Sequence, residues 1–328
     1  MSSIYEVPID PGDDNSSHAF ALSMIGYNKS VLELGCATGY FTKVLVERGC
    51  NVVGIELDPE AAGIAEKWAD RVIVGNLDEG DVWTSLEDET FDVIVMGDVL
   101  EHLRDPLSSL RNAVRKLKPS GFVVTSLPNI AHGDVRMALM QGNFRYRETG
   151  LLDRTHIRFF TLESARDLMA QAGLVVVDTK RVIMPLFLSE MGVKREDVSH
   201  KVLDRLLEDP EVESYQFVMK SVRDNGTRTL KDLAKRVSDL SDHIHEEEVR
   251  KALLRKELHG ADAVSNLQEY VQALQGHVTG LEHNIEVLTT ALAESDQRYR
   301  SVLNSRAVRM TAPIRWLNRR VRRGGGSS

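Results

Sequence analysis

Five short apolar runs, alternating with stretches of helical spacing, set the tightest limit on how this chain folds. The runs are VLELG (31–35), NVVGIEL (51–57), RVIVGN (71–76), FDVIVMGD (91–98) and GFVVTSLP (121–128). Runs of this length, rich in Val and Ile and bounded by Gly or Asp, read as parallel strands buried on both faces. Candidate helices lie among them at 39–48, 59–68 and 105–117, and HAFALSMIG (18–26) reads as a short helix ahead of them. Alternation with short links predicts an α/β doubly wound sheet of Rossmann-like type. LVVVDTKRV (174–182) and YQFVMKSVR (215–223), separated by a helix near 198–208, bring the expected count to seven strands, the last two a pair at the sheet edge.

The chemistry concentrates after these strands. In VLELGCATGYF (31–41) a strand ends at Leu34, and Gly35 and Gly39 frame a tight turn into a helix. A backbone without side chains there admits a nucleotide-like ligand above the helix N-terminus. The spacing is E-x-G-x-x-x-G, which fits neither the dinucleotide pattern G-x-G-x-x-G nor the phosphate loop G-x-x-x-x-G-K-[ST]. IELDPEA (55–61) ends the next strand in Glu56, an acid positioned to accept hydrogen bonds from both hydroxyls of a ribose. Asp58 reads as the N-cap of a helix that opens at Pro59.

ELGCATG resembles the first motif of class I S-adenosylmethionine-dependent methyltransferases, roughly (D/E)-x-G-x-G-x-G. The resemblance implies that Glu33 orients the methionine part of the cofactor S-adenosyl-L-methionine, while Gly35 and Gly39 admit it. Ala37 stands where the middle glycine is usual, tightening the approach. An acid at a strand end that caps the following helix is the plainer reading of Glu33. The resemblance further implies that Glu56, with Leu57 beside it, holds the ribose. VGNLDEG (74–80) would cradle the adenine, with Asn76 bonding its amino group and Leu77 packing on the ring. FDVIVMGDVLEHLRDP (91–106) matches the family's fourth strand and following loop, so Asp98 and Val99 would line the pocket with Leu100. The Glu101–His102 pair is similar to that of quinone, small-molecule and sugar O-methyltransferases, and His102 reads either as a packing residue beneath the pocket or as a catalytic one.

Methyl transfer from a sulfonium is an in-line displacement, so the protein mainly aligns donor and acceptor and keeps them dry. A hydroxyl acceptor also needs a base. Residues 128–161 are too long for a plain connection and lie at the carboxyl ends of the strands, where such folds bind substrates. His156 is the first candidate base, Asp153 its orienting partner and His132 the second candidate; the alternative is that His156 fastens this insertion to the sheet. Arg145, Arg147, Arg154 and Arg158 would meet a phosphate or acidic sugar, or simply face solvent. No metal-ligand set is assigned. PNIAH and GLLDRTHIRFFT resemble methyltransferases of bacterial polysaccharide assembly, which implies a sugar or glycan acceptor, and the layout with a coiled coil resembles chain-terminating enzymes of O-antigen synthesis. A quinone or other small metabolite is the alternative acceptor, and a catalytically silent scaffold the alternative role.

Residues 18–223 are the expected catalytic domain, after a flexible lead-in over 1–17. Beyond Asp224 apolar residues recur at Leu230, Leu233, Val237, Leu240 and Ile244, then from Val264 to Leu292 through four heptads. This predicts an oligomerising coiled coil over 224–304 with a break near Gly260, or a single helix folded back on the domain. Charge separates the parts: 24 basic against 35 acidic side chains up to Arg223, 17 against 14 beyond. An acidic body argues against broad nucleic-acid binding. The tail over 305–328, with seven Arg and no acid, would contact an anionic membrane or a glycosyltransferase partner. SRAVRMTAPIR (305–315) resembles a short segment near the ends of bacterial glycosyltransferases. Two cysteines, Cys36 and Cys50, give no disulfide framework, and no apolar run reaches the length of a membrane span. A polar, acidic start also lacks the marks of a signal peptide, so the expected setting is cytoplasmic, peripheral at the inner membrane face if the tail docks there.

Overall fold

The computed structural model describes residues 9–224, 226, 235 and 239–250. Within them lie strands β1 (Ser30–Leu34), β2 (Asn51–Glu56), β3 (Arg71–Val74), β4 (Phe91–Gly97), β5 (Leu117–Pro128), β6 (Leu174–Ile183) and β7 (Ser214–Arg223). The helices are α1 (Ser17–Ile25), α2 (Tyr40–Glu47), α3 (Pro59–Ala65), α4 (Asp81–Thr84), α5 (Pro106–Arg115), α6 (Gly133–Met140), α7 (Leu162–Gln171) and α8 (His200–Leu207). All seven strands join in one sheet, ordered β3-β2-β1-β4-β5-β7-β6. The first five run parallel, and β7 enters antiparallel between β5 and β6. The seven-stranded sheet expected from the sequence is present, as a mixed rather than a purely parallel one.

Alternation along the strands divides the core. Leu32 and Leu34 of β1 and Ile94 and Met96 of β4 turn to the side covered by α5 and α7, where Leu110 and Met169 meet them. Val31, Val93 and Val95 turn to the other side, under Leu22 and Ile25 of α1 and Leu45 of α2. Each such side chain, once buried, contributes about 1.5–3 kcal/mol before entropy is charged against it. Helix starts follow local rules: Asp58 Oδ1 accepts from the Glu60 N–H at 2.9 Å with Pro59 next in line, and Thr161 and Ser164 form a capping box.

Two features add to the sequence reading. The long stretch after β5 contains α6, and α7 follows it. Alpha-helical α6 is held by contacts far along the chain: Met137 and Ala138 pack with Leu186, Val193, Val198 and Val212 from the β6–β7 connection. The second is that contacts with the domain continue past Arg223. Residues 239–250 are helical. Asp242 on that helix accepts from Arg166 at 2.9 Å and from Arg181 at 2.7 Å, and Arg181 also pairs with Glu211. His245 reaches the Pro210 carbonyl at 2.9 Å. This part of the expected coiled coil is therefore folded back on the domain; the rest of it and the basic tail lie outside the described residues. Among the described residues no helix is long and apolar enough to cross a membrane.

Candidate functional site

The chain leaves β3 at one edge and returns to the far side of β1 to build β4, so the loops after β1 and β4 diverge. A crevice opens at such a reversal, outside the carboxyl ends of the strands. It is lined here by Ser17, His18, Glu33, Gly35, Gly97 and Ser126. Gly35 lies at φ 72°, and a Cβ on it would come within 2.7 Å of Val99 Cγ2. Gly39, at φ 79°, would place a Cβ 2.8 Å from the Ala65 backbone. Both positions therefore demand glycine. Ala37 adopts φ 47°, in the left-handed region where the usual glycine would sit unstrained.

Glu33 is buried at the end of β1 and accepts from Thr42 Oγ1 at 2.6 Å, which ties it to α2. Burial pushes its carboxyl up to about 8; the Thr42 hydrogen bond opposes this, and nearby Glu56 adds to it. Glu56, at the end of β2, uses Oε2 for the Ala37 N–H at 2.8 Å and Oε1 for the Asp58 N–H at 2.9 Å. Its carboxylate is thereby locked beside the glycine turn. Leu57 follows it, 65% exposed. Asp98, at φ 53°, accepts from Ser126 Oγ at 2.9 Å and from the Gln216 amide.

The adenine loop differs from expectation. Leu77 is 7% exposed and belongs to the main core, because its carbonyl is held by Trp83 Nε1 and Ser109 Oγ and turns the side chain inward. Asn76 is half-buried; its Oδ1 accepts from the Asp78 N–H and its Nδ2 reaches Glu79. The side chain that links this loop to the one after β4 is Asp78, which accepts from the Arg104 and Asp105 N–H groups at 3.0 Å each.

On the acceptor side, His132 is corrected. It is 0% exposed; its Nε2 reaches the Met184 carbonyl at 2.8 Å and its Nδ1 accepts from the Asp134 N–H at 3.2 Å as the cap of α6. Both nitrogens are engaged in fastening α6 to the end of β6, so neither serves as a base. Asp153 Oδ1 accepts from the N–H and hydroxyl of Thr155, shaping the turn that delivers His156. His156 itself is buried, with Nδ1 3.4 Å from the Leu151 carbonyl. Burial and then the neighbouring His102 lower its pKa, against an opposing pull from Asp153. Arg147, Arg154 and Arg158 hold protein partners: the Met191 carbonyl, Glu148 and the Arg104 carbonyl. Phe144 and Tyr146 stand exposed in edge contact, with Phe159 between Phe144 and His156.

Two site residues were not assigned from the sequence. His18, on the first turn of α1, lines the cleft; its signal was only a polar residue opening an otherwise apolar helix. Glu101 stands in the sequence as half of the Glu101–His102 pair. It is 1% exposed, and its backbone carbonyl accepts from the Ile157 and Arg158 N–H groups at 2.9 Å each. That link draws the acceptor insertion onto the loop after β4. It brings the rings of His102 and His156 to 4.8 Å between centroids and groups them with the Glu101 carboxyl.

A family model described as "Methyltransferase domain" matches residues 16–179, half of the chain. The ubiquinone biosynthesis O-methyltransferase of Actinobacillus pleuropneumoniae serotype 7 (strain AP76) is 33% identical over 113 residues, 31% of this chain and 47% of that protein. The protein of the same name from Cereibacter sphaeroides (strain ATCC 17025 / ATH 2.4.3) is 30% identical over 160 residues, 47% of this chain and 63% of that protein. The chain thus spans about half to just under two thirds of the length of these curated relatives. A crystal structure of Burkholderia thailandensis 1,6-didemethyltoxoflavin-N1-methyltransferase with bound 1,6-didemethyltoxoflavin and S-adenosylhomocysteine is 19% identical. It covers 64% of this chain and 79% of that one, with a TM-score of 0.42.

Proposed function

The chain belongs to the methyltransferase-domain family, and from that premise we propose that it transfers a methyl group to a hydroxyl oxygen of a sugar in a bacterial surface glycan. It is an S-adenosyl-L-methionine-dependent methyltransferase. The observation that carries the assignment of its donor pocket is the pair of acids at the ends of β1 and β2, Glu33 and Glu56, on either side of a turn where Gly35 has no room for a side chain. These residues fit the cofactor: a buried carboxyl suits an ammonium group, and a carboxylate at a second strand end suits a ribose diol. When bound, S-adenosyl-L-methionine supplies a methyl carbon already activated on a sulfonium. The residues around it have simpler work: Glu33 and Glu56 fix its orientation, Asp98 and Val99 wall the pocket, and exposed Leu57 covers an apolar face.

The acceptor would enter between the loop after β4 and the insertion over 128–161, facing His156 and the aromatic edge of Phe144, Tyr146 and Phe159. Lowered by burial, His156 is neutral at pH 7 and has a lone pair to offer. The glycan reading rests on the resemblance of PNIAH and GLLDRTHIRFFT to polysaccharide-assembly methyltransferases, and on the coiled coil and basic tail expected beyond residue 250. The coil would make a homo-oligomer and the tail a peripheral contact with a membrane or a membrane-bound partner. A second reading, a quinone or other small metabolite as acceptor, is favoured by the relatives being ubiquinone biosynthesis O-methyltransferases.

The reading is tested by calorimetric titration with S-adenosylmethionine and S-adenosylhomocysteine, followed by turnover on sugar and on quinone-type acceptors. Wild type binds both in the micromolar range, and Glu56→Ala weakens them by about tenfold or more, the loss of a charge-assisted hydrogen-bond pair. His156→Ala keeps cofactor binding and loses turnover. A folded wild type that binds neither ligand would leave the scaffold reading standing.

A further inference from the structure

We propose that the helix over 239–250 is a reversible clasp on the acceptor wall, the insertion over 128–161. Docked, it fixes the turn over 209–214 on which that wall rests; released, it loosens the wall and leaves the donor pocket intact. The clasp grips the domain at three points. Asp242 joins Arg166 of α7 and Arg181 of β6. Ser241 Oγ donates to the Thr179 carbonyl at 3.2 Å. His245 Nε2 meets the Pro210 carbonyl at 2.9 Å and lies 3.6 Å from Glu211 Oε2.

Arg181 carries the grip inward. Its side chain is 4% exposed, and its guanidinium is shared between Asp242 on the clasp and Glu211 in the turn, at 2.7 Å each. A buried guanidinium is costly to leave with one of its carboxylates gone, so clasp and turn are held together through it. From the turn the link reaches the wall mainly through backbone. Asn129, where the chain leaves β5, is 1% exposed; its Nδ2 donates to the Ser214 carbonyl at 2.7 Å and to the Glu211 carbonyl at 3.4 Å. Gly133, the first residue of α6, donates its N–H to the Val212 carbonyl at 2.8 Å. A Cβ on Gly133 would fall 2.8 Å from Val212 Cγ2, so α6 sits tight against the turn. Arg136 of α6 adds an ion pair with Asp209 at 2.6 Å. Beyond Asn129, the Ile130 N–H donates to the Phe160 carbonyl at 2.9 Å, and the preceding Phe159 stands edge-on to His156.

The contacts of the clasp are of a kind that releases. Among its described residues only His245 is buried, and no apolar side chain of 239–250 joins a core cluster. At the Ser241 contact the Thr179 hydroxyl is buried with no hydrogen-bond partner, which lowers the gain from docking. A segment held by ion pairs and single hydrogen bonds, with little apolar surface beneath it, belongs to the low-stability end of a protein and opens without the rest. The bonds just named lie on α7, β6 and the turn, and none of them on the loops after β1 and β2 that carry Gly35 and Glu56. A wall that opens while the donor stays bound lets the acceptor side exchange by itself; that use, though not the clasp, rests on the methyl-transfer reading.

The test is amide hydrogen exchange, read by mass spectrometry on the full chain, wild type against Asp242→Ala, with S-adenosylhomocysteine affinity measured on the same preparations. In the variant exchange rises about tenfold over 129–140 and 209–214 as well as over 239–250, and changes by less than about twofold over β1 and β4. Should Asp242→Ala fail to fold, His245→Ala removes only the Pro210 and Glu211 contacts and shows the same pattern with a rise of about threefold. A rise confined to 239–250 overturns the proposal, because the helix then leaves without the wall. An even rise across the sheet overturns it too, as plain loss of stability, and so does weaker binding of S-adenosylhomocysteine by the variant than by wild type. A wild type that binds no S-adenosylhomocysteine strikes the donor reading alone, and the exchange pattern still decides the clasp.

Discussion

Glu33 carries its proton at neutral pH in the ligand-free protein, because burial raises its carboxyl to about 8. A cationic ammonium beside it would reverse that preference, so donor binding in the range between the ordinary carboxyl pKa and about 8 must release a proton. Affinity for S-adenosylmethionine therefore rises with pH by up to about tenfold per unit and levels off above about 8. Calorimetry in buffers of different ionisation enthalpy reads the released proton directly, and Glu33→Gln abolishes it. The sign for stability is opposite. With the folded pKa above the unfolded one, Glu33's contribution is complete below about 4.5 and is lost as pH rises through about 8. Melting of the ligand-free wild type should fall relative to Glu33→Gln over that window. His156 is read from the sequence as a base oriented by Asp153; in the structure Asp153 Oδ1 also accepts from Thr155, and the ring of His156 meets His102.

At the scale of elements, the strands were legible and several loops were not, for physical reasons. Strands β1 and β4 are buried on both faces, and a run such as VLEL or VIVM states that without reference to anything distant. Alpha helix α6 says little by itself: its apolar residues find their partners in 186–212, beyond β6. Leu77 followed the same logic in reverse, since a hydrophobic residue in a ligand loop is drawn to a core only the fold reveals. The burial of Glu101 depends on residues some fifty positions later and has no local signature. Most instructive is the helix over 239–250, where the heptad reading marks Leu240 and Ile244 but the docking contacts are Asp242 and His245. Arg181, its side chain 4% exposed, depends on Asp242 and Glu211 together. Asp242→Ala should cost about 1–3 kcal/mol by leaving that guanidinium half-paired. Urea denaturation measures the cost, and faster proteolysis within 235–250 shows the helix released; unchanged values in both would mean the helix is held elsewhere.

For the molecule as a whole, donor site, acceptor wall and docked helix belong to one unit that reaches at least residue 250, further than the Arg223 boundary read from the sequence. A truncation removing 251–328 should accordingly keep donor affinity within about twofold, whereas one removing 224–328 strips the helix from Arg166 and Arg181 and lowers stability. The first truncation also tests the oligomer. Light scattering should report a smaller assembly than the full chain, and an equal mass would remove the coiled coil from the proposal.

The place of β7 has a consequence for how the protein is made. β6 leaves the ribosome before the strand that connects it to the sheet, since β7 is later in sequence yet lies between β5 and β6. Until residues 214–223 emerge, the facing edges of both older strands stay unpaired, the state in which nascent chains most readily capture a neighbour. The same late segment carries Gln216 to Asp98 and the Ser214 and Tyr215 carbonyls to Asn129. The rim that Asp98 and Asn129 form at this end of the sheet is therefore completed only once residues 214–223 have emerged.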